Sequence, residues 1–289
     1  MIGYVLAGIS SLFFSLYVVP RKLAKQKPTL FTFFMTIGFS LGSLFLFFVN
    51  TKEKLNLYLL YSIPAGIIWV ISFLFFVKSI DLIGLSRSNQ WKNLQGPVGV
   101  LLSLIILSEY GKVNSFVTLV AGTSIFISAF FLSKTSSEKT KATNQKGIYF
   151  GLLSGLGFGV VTVFNKLVTN QVGVYSQQVV WSLSMFVSML IFLSYTKEIK
   201  QLKTTSLRNN ILGLFSGFIY LGASFFMLES YKFITASVGF SIIQLSSVWT
   251  ILIGVLIFKE INVKKYYKEI LFGLFFALLG VVLLTLSKR

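Results

Sequence analysis

The chain has 289 residues, of which 55% are hydrophobic and only 12% charged, with a mean hydropathy of +0.81; that is about half the charged share of a soluble globular protein. It contains no Cys and no His, which excludes disulfides, thiolate nucleophiles, Cys- or His-ligated metals and imidazole acid–base chemistry. Its 26 Lys and Arg stand against eight acids, a formal net charge of +18, but they lie between long apolar runs. There they face the anionic inner leaflet of a membrane rather than nucleic acid.

Stretches of roughly 20 apolar residues, the length that crosses a hydrocarbon core, recur along the chain. They lie near residues 2–20, 29–50, 57–78, 86–107 and 113–134, then 147–170, 172–195, 210–231, 236–258 and 270–287. The expected fold is therefore an all-α membrane protein of ten transmembrane helices. The first stretch has neither a basic segment before it nor a small-residue cleavage site after it, so it reads as a retained span and not a signal peptide. The longest polar stretch, TSSEKTKATNQK at 135–146, divides the chain into five-helix halves, 1–134 and 147–289.

The halves overlay on one another. Residues 65–86 align without a gap on 216–237, placing Gly66 on Gly217, Trp69 on Tyr220, Ser79 on Ser230 and Ser86 on Ser237, and the register continues until Glu109 meets Glu260. Residues 10–23 fall on 154–167, pairing Lys22 with Lys166. An odd number of spans per half turns the second half upside down, so the halves are expected to form inverted repeats with a solute site between them. Of the 26 Lys and Arg, 19 fall on one side, from Arg21 to Lys268; the other seven are Lys52, Lys54, Lys112, Lys166, Lys232, Lys288 and Arg289. The richer side is expected in the cytoplasm, with both termini outside it.

The fourth span opens with SRSNQWKNLQGPVG, residues 86–99. Amides in hydrocarbon cost several kcal/mol unless bonded, and Lys at depth costs about 2.5–3.5 kcal/mol. Asn89, Lys92, Asn93 and Gly96 share a helical face, expected to point into the bundle with Gln95, while Trp91 offers a ring on which a sugar could stack. An interfacial helix start with snorkelling Arg87 and Lys92 is the plainer alternative. Gly96-Pro97 is expected to break the helix. In the ninth span Ser241 and Gln244 occupy the matching place, Gln244 falling on Asn93 in the overlay; Trp69 and Tyr220 add aromatic walls. The small faces Ser11, Ser15 and Gly155, Gly159, Thr162 read first as helix-packing surfaces. Glu229 is the candidate proton carrier, with Glu109 and Glu260 as helix-end anchors. No metal site and no cofactor are expected.

The run KSIDLIGLSRS at 78–88, then Gln95-Gly96-Pro97-Val98-Gly99, Glu109-Tyr110 and the stretch at 235–260 resemble the glucose/ribose porter family of the drug/metabolite transporter superfamily. SSLFFSLYVVPRKLAKQ at 10–26 is closer to rhamnose–proton symporters. The resemblance implies a ten-helix inverted-repeat transporter of sugars, often proton-coupled, in which the fifth and tenth helices lie outside the path. Phe14-Ser15 stands where glucose-type members carry Trp-Gly, Gln90-Trp91 replaces a Pro-containing stretch, and Lys92 replaces a small polar residue. Lys92 favours an anionic solute such as a sugar acid over a cation. The expected function is secondary active transport of a sugar or sugar-like solute across the cell membrane, as proton symport. The alternative is export or exchange of amino acids or other metabolites on the same fold. A membrane-embedded enzyme is disfavoured, since Asp81 is the lone aspartate and His is absent. The expected partners are the solute and membrane lipids, with homodimerisation left open.

Overall fold

In a computed structural model, residues 1–50, 53, 56–134, 141–259 and 261–287 are described. They form thirteen α-helices and, among these residues, no β-strand. In chain order the helices are α1 (Ile2–Leu16), α2 (Val19–Leu23), α3 (Pro28–Val49), α4 (Ser62–Ile83), α5 (Leu85–Lys92), α6 (Gln95–Ile106) and α7 (Ser115–Ser133), then α8 (Lys141–Thr169), α9 (Val174–Tyr195), α10 (Leu207–Ser230), α11 (Ala236–Ile243), α12 (Ser246–Leu256) and α13 (Tyr267–Leu286). Nine stretches among the described residues are long and apolar enough to cross a membrane, α1–α2 and α11–α12 each counting as one. The segment α5–α6 is not among them, because its first turns carry Arg87, Asn89, Gln90, Lys92, Asn93 and Gln95. Residues 141–146, expected in the polar linker, are instead the opening of α8. The rest of that linker (135–140), Glu260 and the basic residues Lys52, Lys54, Lys139, Lys288 and Arg289 lie outside the described residues.

The helix breaks have local causes. Pro20 lacks an N–H and its ring crowds the carbonyl four residues back, so α1 stops at Leu16 and α2 restarts with Pro20 in its first turn. Gly84, at φ 84°, lets α4 turn directly into α5 in a backbone region closed to most side chains. Large hydrophobics lie on the outer surface as well as in the core. Phe45, Phe48, Ile191, Phe215, Phe275 and Leu278 are exposed, as a lipid-facing surface requires. The interior is rich in Ser and Thr that bond back to their own helix, such as Ser43 to the Phe39 carbonyl (2.8 Å) and Ser72 to the Ile68 carbonyl (2.7 Å). Others cross instead: Ser10 donates to the Ala223 carbonyl (2.7 Å) and Ser216 to that of Tyr17 (2.6 Å), tying α1 to α10, and Ser79 donates to the Gly147 carbonyl (2.7 Å), tying α4 to α8.

Around the centre α4 lies along α8, α1 along α10, and α3 along α9 and α10, while α7 and α13 pack on each other. The Gly155-x-x-x-Gly159 face of α8 presses on the α5–α6 segment: a Cβ at Gly155 would meet the Lys92 carbonyl, and one at Gly159 would meet Val98. This face is therefore a packing surface, and it fixes the depth at which Lys92 sits.

One end of the bundle is tied shut. Arg21 reaches both Asp81 oxygens at 2.6 Å and the Gln26 carbonyl at 2.8 Å. Lys27 and Thr29 hold Glu198 at 3.0 and 2.5 Å. Partial burial raises the pKa of the Glu198 carboxyl, but the Thr29 and Lys27 contacts, with a further pull from Lys78, outweigh it and leave the group below its ordinary value. This strap therefore contributes stability at neutral pH that is lost as the pH falls through that lowered value. Replacing Gly155 with Val should overpack the α8–α6 crossing, costing about 1–3 kcal/mol and lowering the apparent Tm in detergent. An unchanged Tm would show that this crossing tolerates separation.

Candidate functional site

The site is built on two broken helices that face each other in opposite directions. Pro97 cannot donate to the Asn93 carbonyl, four residues back, so α5 ends at Lys92 and the Asn93 carbonyl accepts from Gly96 N instead (2.9 Å). The break thus falls one turn before Gly96-Pro97. The α11–α12 segment breaks at Gln244–Leu245 without a proline. There Ser247 takes the Gln244 carbonyl through both its N–H (3.0 Å) and its hydroxyl (2.5 Å).

The amides of one segment meet the backbone of the other. Asn89 Nδ2 donates to Thr250 Oγ1 (2.9 Å) and Gln90 Nε2 to the Ser247 carbonyl (3.3 Å). Asn93 Nδ2 approaches the Gln244 carbonyl at 3.5 Å, and Gln95 Nε2 donates to Gln244 Oε1 at 3.2 Å. The NH₂ groups, costly in lipid, are thereby spent on holding the two segments together, while Asn89 Oδ1, Gln90 Oε1 and Asn93 Oδ1 find no partner among the described residues.

Beside this crossing lies a cavity of about 30 Å³, room for a water or two. Half of its lining is aromatic: Phe14 and Tyr17 from the first span, Trp69 from α4, Phe158 from α8, Trp181 from α9, Tyr220 from α10 and Phe240 from α11. The Trp69 and Tyr220 rings lie 5.0 Å apart. Neither α7 nor α13 contributes to the lining, in keeping with the place the family resemblance gives the fifth and tenth spans. The polar groups facing the cavity are Lys92, Gln95, Thr162 and Asn165. Lys92 is 2% exposed, with its ammonium 5.0 Å from the Phe76 ring and 6.0 Å from that of Phe158. Asn165 is 1% exposed, and neither atom of its amide finds a partner among the described residues.

Of the residues expected at a binding site, Trp69, Lys92, Gln95 and Tyr220 line this cavity. Asn89, Asn93 and Gln244 are buried in the crossing behind it, and Ser241 bonds back to the Ser237 carbonyl at 2.8 Å. Trp91 points away, edge-on to Phe130 of α7 at 6.4 Å and against Gly151. Glu229, at the end of α10, is outside the lining and pairs with Lys232 at 2.7 Å. The sequence reading passed over Asn165, although an amide inside an apolar run is the same signal that singled out α5.

At the end opposite the Arg21–Asp81 strap, a cleft of about 500 Å³ opens beside the cavity. It is lined by Glu109, Lys112, Lys166, Thr169, Asn170 and Lys232 among others. Glu109 accepts from the first N–H groups of α11, Ala236 (2.8 Å) and Ser237 (2.9 Å), where the helix dipole favours a negative charge. It is thus a buried cap on α11, where the sequence suggests an anchor for the end of its own span. Lys166 donates to the carbonyls of Tyr231 and Ile234, so the two residues together hold the loop from α10 to α11.

A family profile described as "Sugar transport protein" matches residues 4–287. A relative from Streptococcus pyogenes serotype M1, named for sugar uptake, is 24% identical over 269 residues, covering 91% of each chain. "Glucose uptake protein GlcU" of Bacillus subtilis is 24% identical over 271 residues, covering 88% of each. A solved crystal structure superposes with a TM-score of 0.71 at 12% identity, over 100% of this chain and 96% of the other, a likeness of fold.

Asn165→Leu removes two unpartnered buried polar atoms at nearly constant volume. It should raise the thermal stability of the ligand-free protein by about 1 kcal/mol or more. A loss of stability would mean that the Asn165 amide is already satisfied.

Proposed function

The chain belongs to the sugar transport protein family, and from that premise we propose that it is a secondary active transporter of a sugar or sugar-like solute. Ten spans in two inverted repeats work by alternating access in the cell membrane, and uptake is driven by protons. The observation that carries this reading is the cavity itself: an aromatic chamber holding an unpartnered Asn165 amide deep in a membrane-spanning bundle. A polyhydroxylated ring would meet the Asn165 donor and acceptor with hydroxyls while stacking its apolar face on the rings, once the chamber widens to admit it.

Counting α5–α6 as the tenth span is supported by its neighbours, since it runs antiparallel to α11–α12 from Ser86 beside Gly254 to Glu109 beside Ala236. The repeat is supported by reciprocal contacts. The overlay that puts Trp69 on Tyr220 and Asn93 on Gln244 has each pair touching, as positions on a pseudo-two-fold axis must. The same overlay puts Asn89 on Phe240 and Gly99 on Thr250; Asn89 bonds Thr250, and Gly99 packs on Phe240. Orientation rests on the Lys and Arg bias, which makes the tied end cytoplasmic and the 500 Å³ cleft an outer vestibule.

Proton coupling at Glu229 is supported by its place. It is the acid of α10, the helix whose Tyr220 and Met227 line the cavity, and it pairs with a vestibule lysine. Proteoliposomes under an imposed pH gradient should accumulate a labelled monosaccharide; transport of amino acids and of no sugar would overturn the reading. Glu229→Gln should abolish that accumulation and leave solute exchange running, whereas retained accumulation removes Glu229 from the coupling. Because the chain has no Cys, single cysteines report orientation cleanly. Lys112→Cys should react with an impermeant maleimide on intact cells and Lys264→Cys only after permeabilisation; the reverse pattern inverts the orientation.

A further inference from the structure

We propose that the solute is a monosaccharide bearing one carboxylate, of the uronate or aldonate class, and that the Lys92 ammonium is its counter-charge. This rests on the transport reading above and narrows its substrate class. Lys92 is held at depth by the Gly155 packing and is almost wholly buried, yet no acidic side chain lines the cavity and no hydrogen-bond acceptor or carboxylate meets its ammonium among the described residues. Its neighbours are the Phe76 and Phe158 rings. Ring faces attract a cation but do not balance its charge, and a buried amine without a partner gives up its proton rather than keep an unpaired charge, so an anion beside it restores and holds the ammonium. A solute that brings its own carboxylate completes the site.

The remaining groups fit the rest of such a molecule. Asn165 offers an NH₂ donor and an oxygen acceptor, both unmet, suited to a carboxylate oxygen and a hydroxyl. Trp69, Trp181 and Tyr220 supply faces for the ring. A single cation matches a monoanion; a phosphate ester carries a second charge that nothing else in the cavity would offset.

The approach is biased the same way. Of the seven basic residues on the outer side, the three within the described residues, Lys112, Lys166 and Lys232, all line the vestibule. The carboxylates near them are engaged, Glu109 by two backbone N–H groups and Glu229 by Lys232. Cationic walls on a narrow cleft concentrate anions ahead of the binding step. Since the closed cavity is smaller than a sugar, the anion is bound only as the bundle opens around Lys92.

The test is competition in proteoliposomes carrying the wild-type chain, Lys92→Gln or Lys92→Arg, with labelled D-glucuronate, D-gluconate and D-glucose. The wild type should prefer the acids. Lys92→Gln should shift the acid-to-glucose ratio toward glucose by roughly tenfold or more, the scale expected when one member of a buried charge pair is removed, and Lys92→Arg should keep the acid preference. A ratio of two solutes on one preparation is insensitive to how much protein folds. A wild type that carries glucose without competition from either acid overturns the inference and leaves the transport reading standing, as does a ratio unmoved in Lys92→Gln. Failure to carry or bind any of the three overturns both.

Discussion

A backbone carbonyl freed in the middle of a membrane has to be met by protein, and that constraint organises the centre of this molecule. Two helices break at facing positions, Asn93–Leu94 and Gln244–Leu245. The second break is met partly from the other segment, Gln90 reaching the Ser247 carbonyl and Gln95 and Asn93 reaching Gln244, whereas the first turns on its own N–H groups, Leu94 bonding the Trp91 carbonyl and Gly96 that of Asn93. Water would do the same work in a soluble protein; in lipid the two segments have only each other. The bonds from α5–α6 and the packing of Gly96 on Gln244 and Gly99 on Phe240 set the relative positions of Lys92, Gln95, Phe240 and Ile243, and with them one wall of the cavity.

Within the proposed repeat, symmetry and its violation have different uses. Trp69 and Tyr220 correspond and touch, as do Asn93 and Gln244; such pairs suit a part that must serve two related conformations. The polar residues of the cavity do not correspond. The overlay sets Lys92 against Ile243 and Asn165 against Arg21, and Arg21 is committed to Asp81 at the tied end. Chemistry that recognises a particular solute sits where the two halves differ, because a solute has no two-fold axis of its own.

The two ends of the bundle are unequal for reasons that can be named. At one, Arg21–Asp81 and Lys27–Glu198 cross between elements far apart in the chain. At the other, Glu109 and Lys166 both grip the single loop between α10 and α11 and leave a cleft beside it. The alternating access proposed above would have to break the first set of contacts: Lys27–Glu198, with Lys27 largely in water, is cheap to part, whereas Arg21 is buried and holds both Asp81 oxygens.

Much of this was legible in the residues. Apolar length gave nine of the spans, and the amides of 89–95 had to be buried somewhere inside, because the cost of a polar group in lipid is a property each residue carries alone. The position of the first break was legible to within a turn: Pro97 acts on the carbonyl four residues earlier, so the helix fails at Asn93 and not at the proline. The second break has no proline to announce it, being held by Ser247, whose hydroxyl is unremarkable in a helix. What the sequence could not determine is which buried polar groups face a cavity and which face a neighbouring helix. Asn89, Asn93 and Gln244 are claimed by the crossing, Trp91 turns to α7, and Asn165 is left unpaired beside Lys92. That choice depends on how two helices cross, a relation between distant stretches of chain that only the folded structure contains.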